Sequence, residues 1–172
     1  ASDVYKRQQY AWLENELKNK TEKWTIVSMH NPMYSVGKWG SDPEKNSLTL
    51  AYQSQLKGLF AEYKVDIVLQ GHDHMVSRTH PIKADGNASA ENVENGYIVN
   101  PDGVIYVMNG PAGDQEKGRT SIYPHDESLY AYAEGSSASS WAEFEVSGDS
   151  IKGYVKTANL SGGKTLHTDD LL

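Results

Sequence analysis

Three histidines carry the chemistry that this 172-residue chain can be argued to hold. His30 directly follows the apolar run Trp24-Thr25-Ile26-Val27-Ser28-Met29, and His72 and His74 follow the run Val65-Asp66-Ile67-Val68-Leu69 beyond Gly71. Neutral imidazole is the commonest metal ligand in proteins. There is no cysteine, so a transition-metal site here must be built from His, Asp, Glu, Asn or Tyr. In extended backbone, residues two apart point the same way, so His72 and His74 could reach two ions ~3.5–4 Å apart, the spacing of dinuclear hydrolytic sites. Gly71 is expected to permit a sharp turn and a close backbone approach. A single histidine at a strand end is more often a hydrogen-bonded surface or core residue, and short motifs match by accident. What separates these three from that background is their coincidence at two strand ends, each preceded by a helical pattern.

The elements that must position them follow from periodicity. From Gln9 the pattern is helical, with Tyr10, Leu13 and Leu17 on one face. Residues 24–29 read as a mostly buried strand, stopped by Pro32. A polar loop over 34–47 leads to a second helix over 48–63, whose apolar face is Tyr52, Leu56, Leu59, Phe60 and Tyr63. Residues 65–69 form a second buried strand. Helix–strand–helix–strand order implies parallel strands with crossover helices, and ligands bind in such sheets beyond the carboxyl ends of the strands. All three imidazoles would meet at that rim. Later runs at 75–82, 104–108, 141–146 and 151–156 read as short strands, the last two a hairpin, so the chain ends in antiparallel structure. Residues 83–103 and 111–138 read as long loops. Residues 1–8 fit no structural pattern and are expected to be a non-native leader, leaving 9–172 as one domain.

Composition limits the alternatives. Hydrophobic residues make up 38% and charged residues 23%, which is globular rather than disordered. The net charge of −7, with 16 Lys and Arg scattered along the chain, argues against a nucleic-acid partner. A small phosphate ester remains compatible, because bound cations set the local charge. No apolar run reaches the ~18–20 residues of a membrane span. No Gly-x-x-x-x-Gly-Lys sequence is present, which excludes a P-loop.

At the histidines the sequence resembles a known family. Val27-Ser28-Met29-His30-Asn31-Pro32-Met33-Tyr34 is similar to the block in which calcineurin-like metallophosphoesterases present a histidine ligand after a buried strand. Val68-Leu69-Gln70-Gly71-His72-Asp73-His74, continuing through Arg78-Thr79-His80-Pro81-Ile82, resembles their Gly-His-x-His block. The helix containing Trp12-Leu13-Glu14-Asn15-Glu16-Leu17 and the later Asn109-Gly110-Pro111-Ala112-Gly113 look like the purple acid phosphatase-like branch. The resemblance implies the C-terminal half of a four-layer α/β/β/α catalytic sandwich. It implies two divalent or trivalent ions (Fe with Zn, Mn or Fe), His30 and His72 on one and His74 on the other. It also implies a small phosphate ester as substrate and favours a secreted or cell-envelope protein. The family's Asp-x-His and Gly-Asn-His-Glu blocks do not occur in this sequence, and no Gly-Asp precedes His30, where the family places it, so no catalytic residue is assigned and the chain alone is expected to be inactive.

Weaker candidates surround these ligands. Lys38 and Trp39 stand in a loop where the family's plant and animal members place phosphate-contacting histidines. Lys38, Arg78 and His125 are the candidate substrate contacts, although a loop lysine is usually solvated and a structural ion pair is favoured for Arg78. Asp73 could orient an imidazole or stabilise a turn. Gly110 and Gly113 fit a tight turn, and His80 and His167 are not expected to bind metal. A phosphodiesterase or nucleotidase of the same superfamily, and a non-catalytic protein with a degenerate site, are the alternative readings.

Overall fold

The computed structural model describes residues 2–112, 121–135, 139–158 and 166–170. Of the expected 111–138 loop, 113–120 and 136–138 lie outside the described residues, with Gly113 among them.

Helix α1 (Ser2–Asn19) begins well before the expected Gln9. Residues 2–8 hold neither Gly nor Pro, so nothing breaks the helix there. It docks through its C-terminal half, where Leu17 is buried and Leu13 packs against the core, while Trp12 is 63% exposed. Strand β1 (Ile26–Ser28) follows, then a short helix α2 (Lys38–Ser41) inside the expected polar loop. Helix α3 (Ser47–Glu62) coincides with the amphipathic pattern and buries Leu56, Leu59 and Phe60.

Strands β2 (Ile67–Gln70), β3 (Met75–Thr79), β6 (Ile105–Asn109) and β7 (Tyr130–Gly135) complete a five-stranded mixed sheet in the order β1-β2-β6-β3-β7. β1, β2 and β6 run parallel, and β3 is antiparallel to both of its neighbours. The parallel part of the expectation is therefore met, with antiparallel strands added beyond it. One correction concerns β1. It is not mostly buried, because it has a single neighbour and Ile26 is 38% exposed.

Alternation along the strands sorts the core into two layers. Val27, Val68 and Tyr106 are register partners on the face covered by α1 and α3. Ile67, Ile105 and Val107 point the other way, onto Phe144, Ile151 and Val155 of a second sheet. That sheet is β8 (Ser139–Val146), β9 (Ile151–Ala158) and β10 (Leu166–Asp170), all antiparallel, with the expected hairpin joining β8 and β9. Helices, mixed sheet and second sheet form three successive layers.

Several elements went unread in the sequence, α2 and β10 among them. A hairpin of β4 (Val93–Glu94) and β5 (Tyr97–Ile98) turns through Asn95-Gly96, both with positive φ (52° and 82°), inside the expected 83–103 loop. Asn-Gly between short β-prone runs is the usual signal for such a turn. The alternating Tyr130-Ala131-Tyr132-Ala133 signalled β7 within the other loop.

Tyr106 is 1% exposed and its hydroxyl has no hydrogen-bond partner among the described residues. An unpaired buried hydroxyl destabilises the fold. Tyr106→Phe should therefore raise unfolding free energy by about 1 kcal/mol. Phe60→Ala, at a fully buried α3 position, should lower it by about 3–5 kcal/mol. Urea midpoints with unchanged slopes would check both signs.

Candidate metal centre

The site begins with a backbone ladder that outlasts the strands. Met29 donates its N–H to the Leu69 carbonyl at 2.9 Å, and Gly71 donates to the His30 carbonyl at 3.0 Å. The ends of β1 and β2 are thereby pinned together, and the two histidines meet above them. His30 Nε2 lies 3.1 Å from His72 Nδ1, with the rings edge to face and their centroids 5.0 Å apart.

That separation suits a shared cation. Two imidazole nitrogens at about 2.0–2.1 Å from one metal, at angles between octahedral and tetrahedral, stand about 2.9–3.4 Å apart. The donor set thus fits one half of a nitrogen-rich site. Among the described residues, no group of three or more His, Cys, Asp or Glu side chains gathers closely enough to hold a metal. His74, half-buried, does not join the other two in one cluster.

The turn between β2 and β3 corrects two expectations. The chain bends at His72 and Asp73 rather than staying extended, so the two-apart rule does not relate His72 to His74. The left-handed residue is His72 (φ 73°), while Gly71 makes the ladder bond. The reason lies in strand order. β6 occupies the place between β2 and β3, so the turn must reverse direction across two strand spacings, roughly 10 Å. A non-glycine residue in this region costs on the order of 1–2 kcal/mol, and histidine is among the types that tolerate it better. Asn109 ends β6 opposite Val76, just past this turn, and Gly110 turns away with φ 78°, consistent with its expected role.

Residues 32–37 run buried beneath the rim without belonging to a strand or helix, so their polar groups need partners. Gln70, 3% exposed, supplies several. Its Oε1 accepts from Met33 N at 2.8 Å and Tyr34 N at 3.2 Å, and its Nε2 donates to the Tyr34 carbonyl. Gln53 of α3 donates to the Met33 carbonyl at 2.5 Å. Asp73, 5% exposed, accepts from Ser35 Oγ at 2.7 Å and from the N–H groups of Trp39 and Gly40 at 3.2 Å. Asp73 therefore anchors the opening of α2. Gly37 is needed beside it, since a Cβ there would come within 2.6 Å of Asp73 Cγ. Trp39, held in this way, sets its ring 5.0 Å from that of His72. The phenol of Tyr34 is pushed up to about 12 by burial and, secondarily, by Asp85, so it stays protonated under the site.

The remaining candidates are dispersed. Lys38 is exposed, with Nζ 5.9 Å from the Trp39 ring centroid. Arg78 pairs with Glu91 at 2.6 Å, and His80 Nδ1 approaches the same carboxylate oxygen at 3.0 Å. Arg78 lies roughly 13 Å along the chain from His74 at strand spacing. His125 Nδ1 lies 2.7 Å from the Tyr123 carbonyl, with its ring edge-on to Tyr130. Burial of Tyr130 raises its pKa, helped by nearby Tyr34 and Asp73. The residues that sequence reading missed are Gln53, Gln70 and Ser35. For Gln70 a signal existed: an amide ending an otherwise apolar strand run.

Gln70→Ala would strand two N–H groups and one carbonyl and should cost on the order of 3 kcal/mol. Amide exchange should accelerate first at residues 33–36; uniform acceleration across the sheet would contradict the clamp. Glu91 behaves differently. Burial raises its pKa, but the hydrogen bond and charge of Arg78, then His80, prevail and hold it below the ordinary value. A depressed folded-state pKa gives stability that is present above the unfolded value and lost as pH falls through the folded one. The stability gap between the native chain and Glu91→Gln should be full above about pH 4.3 and close below it.

Comparisons with known proteins bear on this geometry. Residues 2–76, ending just past the histidine-bearing turn, match the family model described as calcineurin-like phosphoesterase. An acid phosphatase of Aspergillus ficuum is 29% identical over 94% of this chain and 29% of its own length. The Fe(3+)-Zn(2+) purple acid phosphatase 12 of Arabidopsis thaliana is 33% identical over 74% of this chain and 27% of its own. Among solved structures, purple acid phosphatase PPD1 from yellow lupin (Lupinus luteus) seeds aligns with a TM-score of 0.66 at 20% identity. It covers 93% of this chain and 27% of that one, so the likeness is one of fold. The chain spans a little over a quarter of the length of these relatives.

Proposed function

The chain belongs to the calcineurin-like metallophosphoesterases, on their purple acid phosphatase-like branch, and from that premise we propose that it supplies one side of a two-metal centre hydrolysing phosphate monoesters. The observation that carries this reading is the 3.1 Å approach of His30 Nε2 to His72 Nδ1 at the carboxyl ends of adjacent parallel strands.

In this reading His30 and His72 hold one ion and His74 the other. Imidazole suits Fe, Zn or Mn, and a relative named as an Fe(3+)-Zn(2+) enzyme favours that pair. When bound, two cations neutralise phosphoryl oxygens and make a water acidic enough to attack phosphorus in line. The chain's own residues fix the geometry. Gln70 and Asp73 hold the loop after His30 against the end of β2 and the turn that carries His72. Of the substrate contacts considered, Lys38 is the one the geometry favours, because Arg78 and His125 are engaged elsewhere.

Of the blocks that complete the centre in the family, Asp-x-His and Gly-Asn-His-Glu do not occur in these 172 residues, and no Gly-Asp stands ahead of His30. The 172-residue chain alone should therefore bind a metal weakly and turn over nothing. Calorimetric titration with Zn²⁺ should show one weak site, weakened at least roughly tenfold by His30→Ala or His72→Ala, as loss of coordination support does elsewhere. Zn²⁺ affinity indifferent to both substitutions would remove the basis of the reading. Hydrolysis of 4-nitrophenyl phosphate by the chain alone, abolished by His72→Ala, would sink the claim of inactivity.

A further inference from the structure

We infer that the depression on the outer side of His72 receives the organic part of the phosphate ester, and that this part is aromatic. The inference rests on the two-metal reading and specifies its substrate class. The depression is bounded by Asn31, Pro32, Trp39, Lys45 and Leu48, with His72 as its inner wall. The imidazole that faces His30 on one side thus faces this hollow on the other. A phosphate held at the histidine pair would project its ester group along it.

Three features select an aromatic occupant. First, the walls are large apolar surfaces left uncovered: Trp39 is 37% exposed and Leu48 47%. Second, two of the neutral polar groups at the rim are already engaged. Thr49 Oγ1 donates to the Trp39 carbonyl at 2.9 Å, and Asn31 Nδ2 is directed at the Tyr52 hydroxyl at 3.5 Å. A sugar or polyol would find few partners here, whereas a flat ring could lie on the indole. Third, the residue that carries the indole is anchored: the backbone N–H of Trp39 is held by the buried Asp73 carboxylate and its carbonyl by Thr49, and the ring lies 5.0 Å from that of His72, so stacking on it costs less ordering entropy. Lys45 at the rim and Lys38 beside the indole set two ammonium groups at this corner. That setting suits an anionic aryl ester over a neutral aromatic compound.

The test reads binding rather than turnover, so it is separable from the metal and activity measurements. Phenyl phosphate, glycerol 2-phosphate and inorganic phosphate are titrated into the 172-residue chain while the tryptophan indole N–H signals are followed by NMR. Phenyl phosphate should shift the Trp39 signal and bind roughly tenfold more tightly than glycerol 2-phosphate, the size of one ring-stacking contact. Trp39→Ala should erase that preference and leave the response to inorganic phosphate unchanged, and Trp39→Phe should restore part of it. Because Trp39 is partly exposed, thermal unfolding of both variants should match the parent and exclude a folding defect. Equal binding of the two esters, a preference surviving Trp39→Ala, or no perturbation of Trp39 by phenyl phosphate would each overturn the inference. Loss of Zn²⁺ binding with the aryl preference intact would instead count against the two-metal reading.

Discussion

Buried backbone outside any regular element must still have its hydrogen bonds made, and that constraint governs the site. Residues 32–37 pass beneath the rim without belonging to a strand or helix. Their backbone is served by Gln70 at the end of β2, by Gln53 of α3 and by the N–H of Tyr123, while Asp73 in the turn after β2 takes the Ser35 hydroxyl. Positioning of the histidines and satisfaction of the loop are thus one arrangement. Water cannot substitute at such a place without loosening it, so the two histidine-bearing segments hold together or come apart together.

A second consequence concerns the turn itself. Parallel β2 and antiparallel β3 are consecutive in sequence yet separated in space by β6. The chain between them must therefore reverse and stride, and His72 takes the left-handed conformation that the reversal requires. Backbone strain at a residue with a chemical role is common. Here its origin is topological, and the bonds of Asp73 to α2 hold the conformation from below. The charged cluster of Arg78, Glu91 and His80 lies well along β3 from this rim. It ties the sheet to the following loop rather than serving the histidines.

Much of this was legible in the amino-acid sequence, because apolar periodicity and strand-end position are local properties. The α3 pattern, the parallel pairing of the 24–29 and 65–69 runs and the meeting of His30 with His72 all follow from them. The hairpin through Asn95-Gly96 and the alternation of Tyr130 to Ala133 were also local signals, obscured by polar surroundings. The exposure of β1 was not legible. Whether a strand is central or at an edge depends on which strands pair with it, and residue types within the run do not report that.

The sequence alone determined which atoms could bind a cation and that two of the three histidines end neighbouring strands, since donor chemistry and alternation are written residue by residue. Only tertiary structure decided how they face one another. It inserted β6 between β2 and β3, so the segment expected to extend became a bend at His72 and Asp73. It also turned Gln70, Asp73 and Trp39 from ordinary members of the chain into a clamp, an anchor and a wall. Those roles arise from groups dozens of residues apart, and no local rule specifies such contacts.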